Sequence, residues 1–292
     1  MSAPTTTGPA PAAPTPRRRF LRRFLRHRPG VVAAALLLVI VLVAIAAPLL
    51  APDDPLAQNL DGVLLPPDAD HLLGTDDLGR DVLSRLLYGT RISLLAALQG
   101  TGIAILLGVP AGLLAGYFGG WLDRVIMTVT DAVMAFPALV LAVALAGVLG
   151  PSLTNAMLAV GVVMAPRALR LVRAAVLEVR EETYTEASRS IGSSVTRILR
   201  RHVLPNIAPP LVVFTAITAG HVMLVEAGMS FIGVGVQPPD ASWGAMLGGG
   251  FRFITRAPTL IIFPGLAIAL AVFAFTLLGD GIRDSIGREE RR

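Results

Sequence analysis

Two acidic residues, Asp131 and Glu226, stand inside long apolar runs, and His221 precedes Glu226 by five positions. Carboxylates and imidazoles at membrane depth are the parts of proton relays, so these three could serve a proton-coupled transporter. The other reading is structural. Asp131 pairs with Arg124 or Arg167 near one end of its run, and Glu226 makes a hydrogen bond that fixes its helix. The structural reading is preferred for both acids. Other reactive chemistry has few parts here. The chain has no cysteine, which removes thiol nucleophiles, disulfides and zinc sites built on thiolates. All 25 cationic side chains are arginines, so neither a lysine-bearing phosphate loop nor a Schiff base can form. His27, His71, His202 and His221 are scattered, and none has metal-ligand spacing to another. No G-x-S-x-G or H-E-x-x-H pattern occurs. The expectation is no catalytic residue, no metal and no cofactor in this chain; if ATP drives it, another chain binds the ATP and magnesium.

The elements that must position these residues are membrane helices. With 54% hydrophobic and 15% charged residues, the 292-residue chain lies outside the range of soluble domains. A bilayer core of about 30 Å takes about 20 apolar residues per helix. Runs near 31–50, 92–118, 125–149, 153–172, 207–236 and 258–278 meet that need, giving an all-α polytopic protein with six transmembrane helices. The first run has an arginine-rich flank like that of a cleaved leader, but it exceeds the roughly 7–15 residues of a leader core. If the N-terminus is cytoplasmic, 20 arginines fall inside and five outside. That is the bias of the positive-inside rule, and it explains a net charge of +5 without nucleic acid. The expected organisation is a disordered, arginine-rich cytoplasmic segment at 1–30, a first helix at 31–50 and an outer loop at 51–91. A membrane core at 92–282 follows, with a cytoplasmic loop at 173–206 inside it, and a cytoplasmic tail at 283–292.

Within the second run Gly108, Gly112, Gly116 and Gly120 recur every four residues, which puts them on one stripe where another helix can approach closely. Between the first two runs Asp53, Asp54, Asp61, Asp68, Asp70, Asp76, Asp77 and Asp81 make an acidic segment. It lacks the ordered ligand pattern of a calcium loop and is read as a solvated connection.

The cytoplasmic stretch YTEASRSIGSSVTRILRRHVLPN, from Tyr184 to Asn206, is the one long polar segment in the second half. Val195, Ile198, Leu199, His202 and Val203 fall on one helical face, and Ala187 and Ile191 make a shorter stripe before Gly192. The pattern predicts two short helices joined at the glycine, the second limited by Pro205. Such a hairpin could lie against the bilayer, read DNA or dock a cytoplasmic partner. Tethering at both ends to membrane spans speaks against DNA.

Glu186-Ala187-Ser188, three residues, Gly192 and then Leu204-Pro205 resemble the EAA loop of ATP-binding cassette importer permeases. Ser188 stands where that family usually has alanine, and His202 where it usually has a hydrophobic residue. His202 followed by Val203-Leu204-Pro205-Asn206 resembles the dipeptide, oligopeptide and nickel branch. HLLGTDDLGRD, from His71 to Asp81, and FIGVGVQPP, from Phe231 to Pro239, are similar to two further stretches of that branch, and of the C-type permease of its pair.

The resemblance implies an inner-membrane permease subunit with both termini cytoplasmic, in contact with lipid, importing short peptides or a related small solute. It implies a second homologous permease, two cytoplasmic ATP-binding cassette ATPase subunits and an extracytoplasmic substrate-binding protein as partners, and no nucleic acid. By the same resemblance Tyr184, Glu186, Ala187, Ser188, Gly192, His202, Leu204 and Pro205 couple this chain to the ATPase. Glu186 would cap the docking helix, Gly192 would permit the turn, and Leu204-Pro205 would end the segment. The alternative is a proton-coupled secondary transporter using Glu226 and Asp131.

Overall fold

The structure, a computed structural model, describes residues 16–286, with the side chains of 16–19, 184, 187 and 189 left out. The expected disordered stretch at 1–15 and the end of the tail at 287–292 lie outside the described residues. The fold among the described residues is helical: α1 (Pro16–Phe24), α2 (Arg28–Leu50), α3 (Val82–Phe118), α4 (Gly120–Met134), α5 (Ala138–Leu149), α6 (Leu153–Arg180), α7 (Thr183–Ser190), α8 (Val195–Ile198), α9 (Leu204–Phe231), α10 (Trp243–Phe251) and α11 (Thr259–Ile286). Residues 16–24 and 28–30 are helical, so that part of the expected disordered segment is corrected.

Local chemistry sets the boundaries. Asp81 accepts from the Ser84 N–H at 2.7 Å and starts α3 ten residues before the expected span, inside the predicted loop. Ser152 and Ser242 cap α6 and α10 in the same way. Asn155, in the first turn of α6, donates to the Leu149 carbonyl at 2.7 Å and so closes the C-terminal end of α5.

The expected third span is not one helix. It breaks at 135–137, and α4 and α5 meet at 93°. Pro137 supplies the reason: it has no N–H to donate and it pushes Phe136 out of the helical region.

Four helices are long and apolar enough to cross a bilayer, α2, α3, α11 and the continuous run 195–231, and the bent α4–α5 pair makes a fifth if it counts as one span. At 28 residues α6 is about 42 Å long, but Arg167, Arg170 and Arg173 dilute its apolar character, and α3, α5 and α9 enclose it.

The tightest packing lies between α3 and α6. A Cβ added at Gly108 would stand 2.6 Å from the Ala165 carbonyl oxygen, one at Gly112 2.6 Å from that of Leu169, and one at Gly116 2.8 Å from Val176 Cβ. Gly120 is not on this stripe. It follows the end of α3, with φ +62° and nothing within 4 Å of a built Cβ, because Gly119 and Gly120 form the turn into α4. Gly100, eight residues before Gly108 on the same spacing, faces Val222 of α9, and Gly161 of α6 packs against Ile103 of α3.

Candidate functional site

The segment expected on the cytoplasmic side folds as a hairpin hung from α6 and α9. Thr185 anchors its first arm: fully buried, its hydroxyl donates to the Val179 carbonyl at 2.9 Å, near the C-terminal end of α6. Glu186 is exposed in the first turn of α7, where a carboxylate suits the positive end of the helix. The arm ends when Gly192 takes φ +79° and the Ser193 N–H reaches back to the Ser188 carbonyl at 3.1 Å. That is the Schellman closure, with glycine at the left-handed position. Ile191 sits at the tip, 83% exposed. The side chains of Tyr184 and Ala187 lie outside the described residues.

The second arm returns through α8, where Ile198 and Val203 are buried with Val172, Val176 and Tyr117 against the inner ends of α6 and α3. Ser188 Oγ and His202 Nε2 are 3.1 Å apart, so the two residues that depart from the usual family pattern meet across the hairpin.

Leu204-Pro205 does not end the segment. The chain is helical from Val195 to Phe231, with a wider π turn over Leu199–Val203, where the Leu204 N–H bonds to the Leu199 carbonyl. Proline is excluded from a helix interior by its missing donor and by the carbonyl four residues back, and a wider turn at that place accommodates both. The second arm and the membrane span are therefore one helical rod.

Asp131 and Glu226 do not meet. Asp131 pairs with Arg170 at 2.6 Å, rather than with Arg124 or Arg167. Its helix runs alongside α6, and Asp123 on the same helix binds Arg173 through two contacts of 2.5 and 2.7 Å. Arg180 then donates to the carbonyls of Gly116 and Tyr117 at the end of α3. A spacing of three along Arg167, Arg170 and Arg173 carries the signal for this basic stripe, since residues three apart share a helix face. Glu226, 1% exposed, accepts from the Ser230 hydroxyl at 2.7 Å, and Ser230 in turn accepts from the Val236 N–H. Its other oxygen is buried and meets no hydrogen-bond partner of good geometry among the described residues. His221 faces the Ile217 carbonyl on the exposed side, because five residues carry a helix well past one full turn.

The outer connection is not a solvated one throughout. Asp76 accepts from the backbone of Leu78 and Arg80 and from Arg80 Nε at 2.7 Å, and Arg85 closes on it at 3.3 Å. His71 Nδ1 stands 3.1 Å from Asp81 and 3.9 Å from Asp53, a grouping that spacing did not reveal. Asp81 is already engaged by Ser84, which makes the group the cap that seats the loop on α3.

Comparison with known proteins gives these elements a context. Residues 108–292 match the family described as binding-protein-dependent transport system inner membrane component, and residues 15–67 the N-terminal TM domain of oligopeptide transport permease C. The glutathione transport system permease protein GsiD of Pectobacterium atrosepticum is 42% identical over 93% of this chain and 91% of its own length. The dipeptide transport system permease protein DppC of Alkalihalophilus pseudofirmus is 37% identical over 98% and 95%. The probable D,D-dipeptide transport system permease protein DdpC of Escherichia coli is 43% identical over 87% and 85%. Among solved structures, a chain of the MetNI methionine ABC transporter in an inward-facing conformation aligns with a TM-score of 0.59 at 22% identity, covering 70% of this chain and 97% of that one. This chain belongs to the family of binding-protein-dependent transport system inner membrane components.

Proposed function

We propose that this chain is one half of the translocation unit of an ATP-driven importer of short peptides or closely related peptide-like solutes. Transport without an ATPase site of its own follows from its residue types, and hydrolysis falls to two cytoplasmic ATPase subunits that bind ATP and magnesium. A second homologous permease completes the path, and an extracytoplasmic binding protein delivers the solute. In this reading α6 and the bent α4–α5 pair each count as one crossing, which makes six and returns both termini to the cytoplasm.

The observation that carries the reading is the hairpin. It exposes Ile191 and Glu186 at its tip and first turn, and its second arm is continuous with the helix 195–231. Displacement of the tip is transmitted to the membrane only through a rigid connection, and this rod supplies one. In the proposed coupling Tyr184, Glu186, Ala187 and Ser188 form the arm against the ATPase, Gly192 sets its end, and His202, Leu204 and Pro205 lie in the rod. The peptide class is supported by the names of the relatives, which speak of dipeptides and glutathione.

Purification in mild detergent followed by reconstitution tests this. The expected result is co-isolation of an ATPase subunit and peptide uptake that needs ATP. Uptake by this chain alone, driven by a pH gradient without nucleotide, overturns it.

A further inference from the structure

The basic stripe of α6 has one charge too many. Arg170 is matched by Asp131 and Arg173 by Asp123, but Arg167 meets no acidic group among the described residues. Arg167 is exposed, on the side of α6 opposite Ala165, Ala168 and Leu169, which pack on α3. It lies about 21 Å along α6 from Leu153, within the apolar run expected at 153–172 and toward its inner end. A guanidinium stays charged at any physiological pH, and a charge at that depth faces a water-filled space or a counter-ion, not lipid tails.

The surroundings favour the water-filled space. The neighbouring pair is itself uncovered by this chain, with side-chain exposures of 45% for Arg170 and 59% for Asp131. The helix that brings Asp131 over the stripe bends away by 93° at 135–137, about one turn beyond that residue, and Arg167 stays exposed among the described residues.

We propose that Arg167 lines the solute path and receives a carboxylate of the transported solute. The inference rests on the import reading and narrows it: the permease, and not only the delivering protein, selects solutes with a free carboxylate. A guanidinium holds a carboxylate with two parallel hydrogen bonds, and a single exposed one holds it weakly enough for release.

Two measurements on the complete transporter in proteoliposomes test this. In the first, Arg167→Cys is probed with the water-soluble sulfonatoethyl methanethiosulfonate; the chain has no other cysteine, so labelling of this subunit reports that position alone. Reaction in at least one nucleotide state is expected, and no reaction in any state overturns the proposal. In the second, ATP-driven uptake of alanyl-alanine is compared with that of its C-terminal amide, each saturating the same binding protein. Arg167→Gln should bring the acid-to-amide ratio down by about tenfold, the scale of one charged hydrogen-bond partner, and Arg167→Lys should restore much of it. An unchanged ratio with intact uptake sinks the Arg167 assignment and leaves the import reading standing. Failure of Arg167→Gln to assemble with the second permease, while Arg167→Lys assembles, identifies an ion pair between chains and overturns the assignment too. A wild-type complex that takes up neither compound with ATP counts against peptide import itself, and this inference falls with it.

Discussion

The connection at 51–81, expected on the outer side, and the hairpin at 181–203, expected on the inner side, are both polar links between membrane helices, yet they are built on opposite principles. The outer one is knitted. Thr75 donates to the Gly62 carbonyl at 2.5 Å and accepts from the Leu65 N–H, Asp76 gathers two arginines and two backbone amides, and Asp81 binds the first turn of α3. In the inner one the second arm is buried through Ile198 and Val203, but the first arm is held, among the described residues, by Thr185 at its root, a glycine turn at its end and a serine–histidine contact to the second arm. Segments with few buried contacts and exposed backbone are the ones that open at low cost, so the outer face is fixed and the inner tip is free to follow a partner.

The comparison breaks most sharply at Gly79. It has φ +69°, and a Cβ there would stand 1.8 Å from the Asn59 carbonyl oxygen, so Gly79→Ala forces the outer connection apart. Overpacking of this kind typically costs about 1–3 kcal/mol or more, with the left-handed backbone adding about 1–2 kcal/mol. Loss of a monodisperse complex in detergent is expected. A variant as heat-resistant as the parent would mean that the outer loop is not the knitted element described above.

Next in size is Gly112→Ile, on the α3–α6 seam that spans both faces. Its Cβ falls 2.6 Å from the Leu169 carbonyl oxygen, and backbone cannot step aside as a side-chain tip can. Assembly or thermal stability in detergent should drop clearly. Unchanged behaviour would remove the seam.

Gly192→Val should separate the two regions by function. Nothing lies within 4 Å of a built Cβ, so space is not the obstacle, but a β-branched residue at φ +79° costs about 1–2 kcal/mol or more. The strain is local to the tip. Insertion and stability of the membrane helices should stay near the parent, while ATP-dependent uptake falls several-fold. Normal uptake would deny the tip its coupling role.

How much of this was legible in the sequence follows from what each signal measures. The helices α2, α3, α9 and α11 were readable because lipid contact makes their apolar runs long. The break at Pro137 was passed over because the apolar run continues straight through it, and hydropathy reports the solvent, not the direction of the chain. Pro205 misled in the opposite sense: the rule against proline in a helix assumes regular α geometry, and the wider turn at Leu199–Val203 changes it. The four-residue glycine spacing located Gly108, Gly112 and Gly116 but overran at Gly120, where the helix has already ended, and it says nothing of Gly161 on the facing helix, whose closeness depends on how two helices cross. That Asp131 would find an arginine was readable from the cost of a charge within an apolar run; that it would be Arg170 depends on the tilt of α4 against α6, which no local pattern encodes.

The smallest expected effect is also the most specific to this chain. Ser188→Ala removes one hydrogen bond, worth about 0.5–1.5 kcal/mol, between the two arms of the hairpin. His202→Ala should cost more, since His202 has further contacts besides Ser188. The double variant separates the two contributions: if the clasp is what joins the arms, Ser188→Ala changes ATP-dependent uptake much less in a His202→Ala background than in the parent. Equal effects in both backgrounds would mean that the Ser188 hydroxyl acts independently of His202 and that the two arms are not joined by this contact.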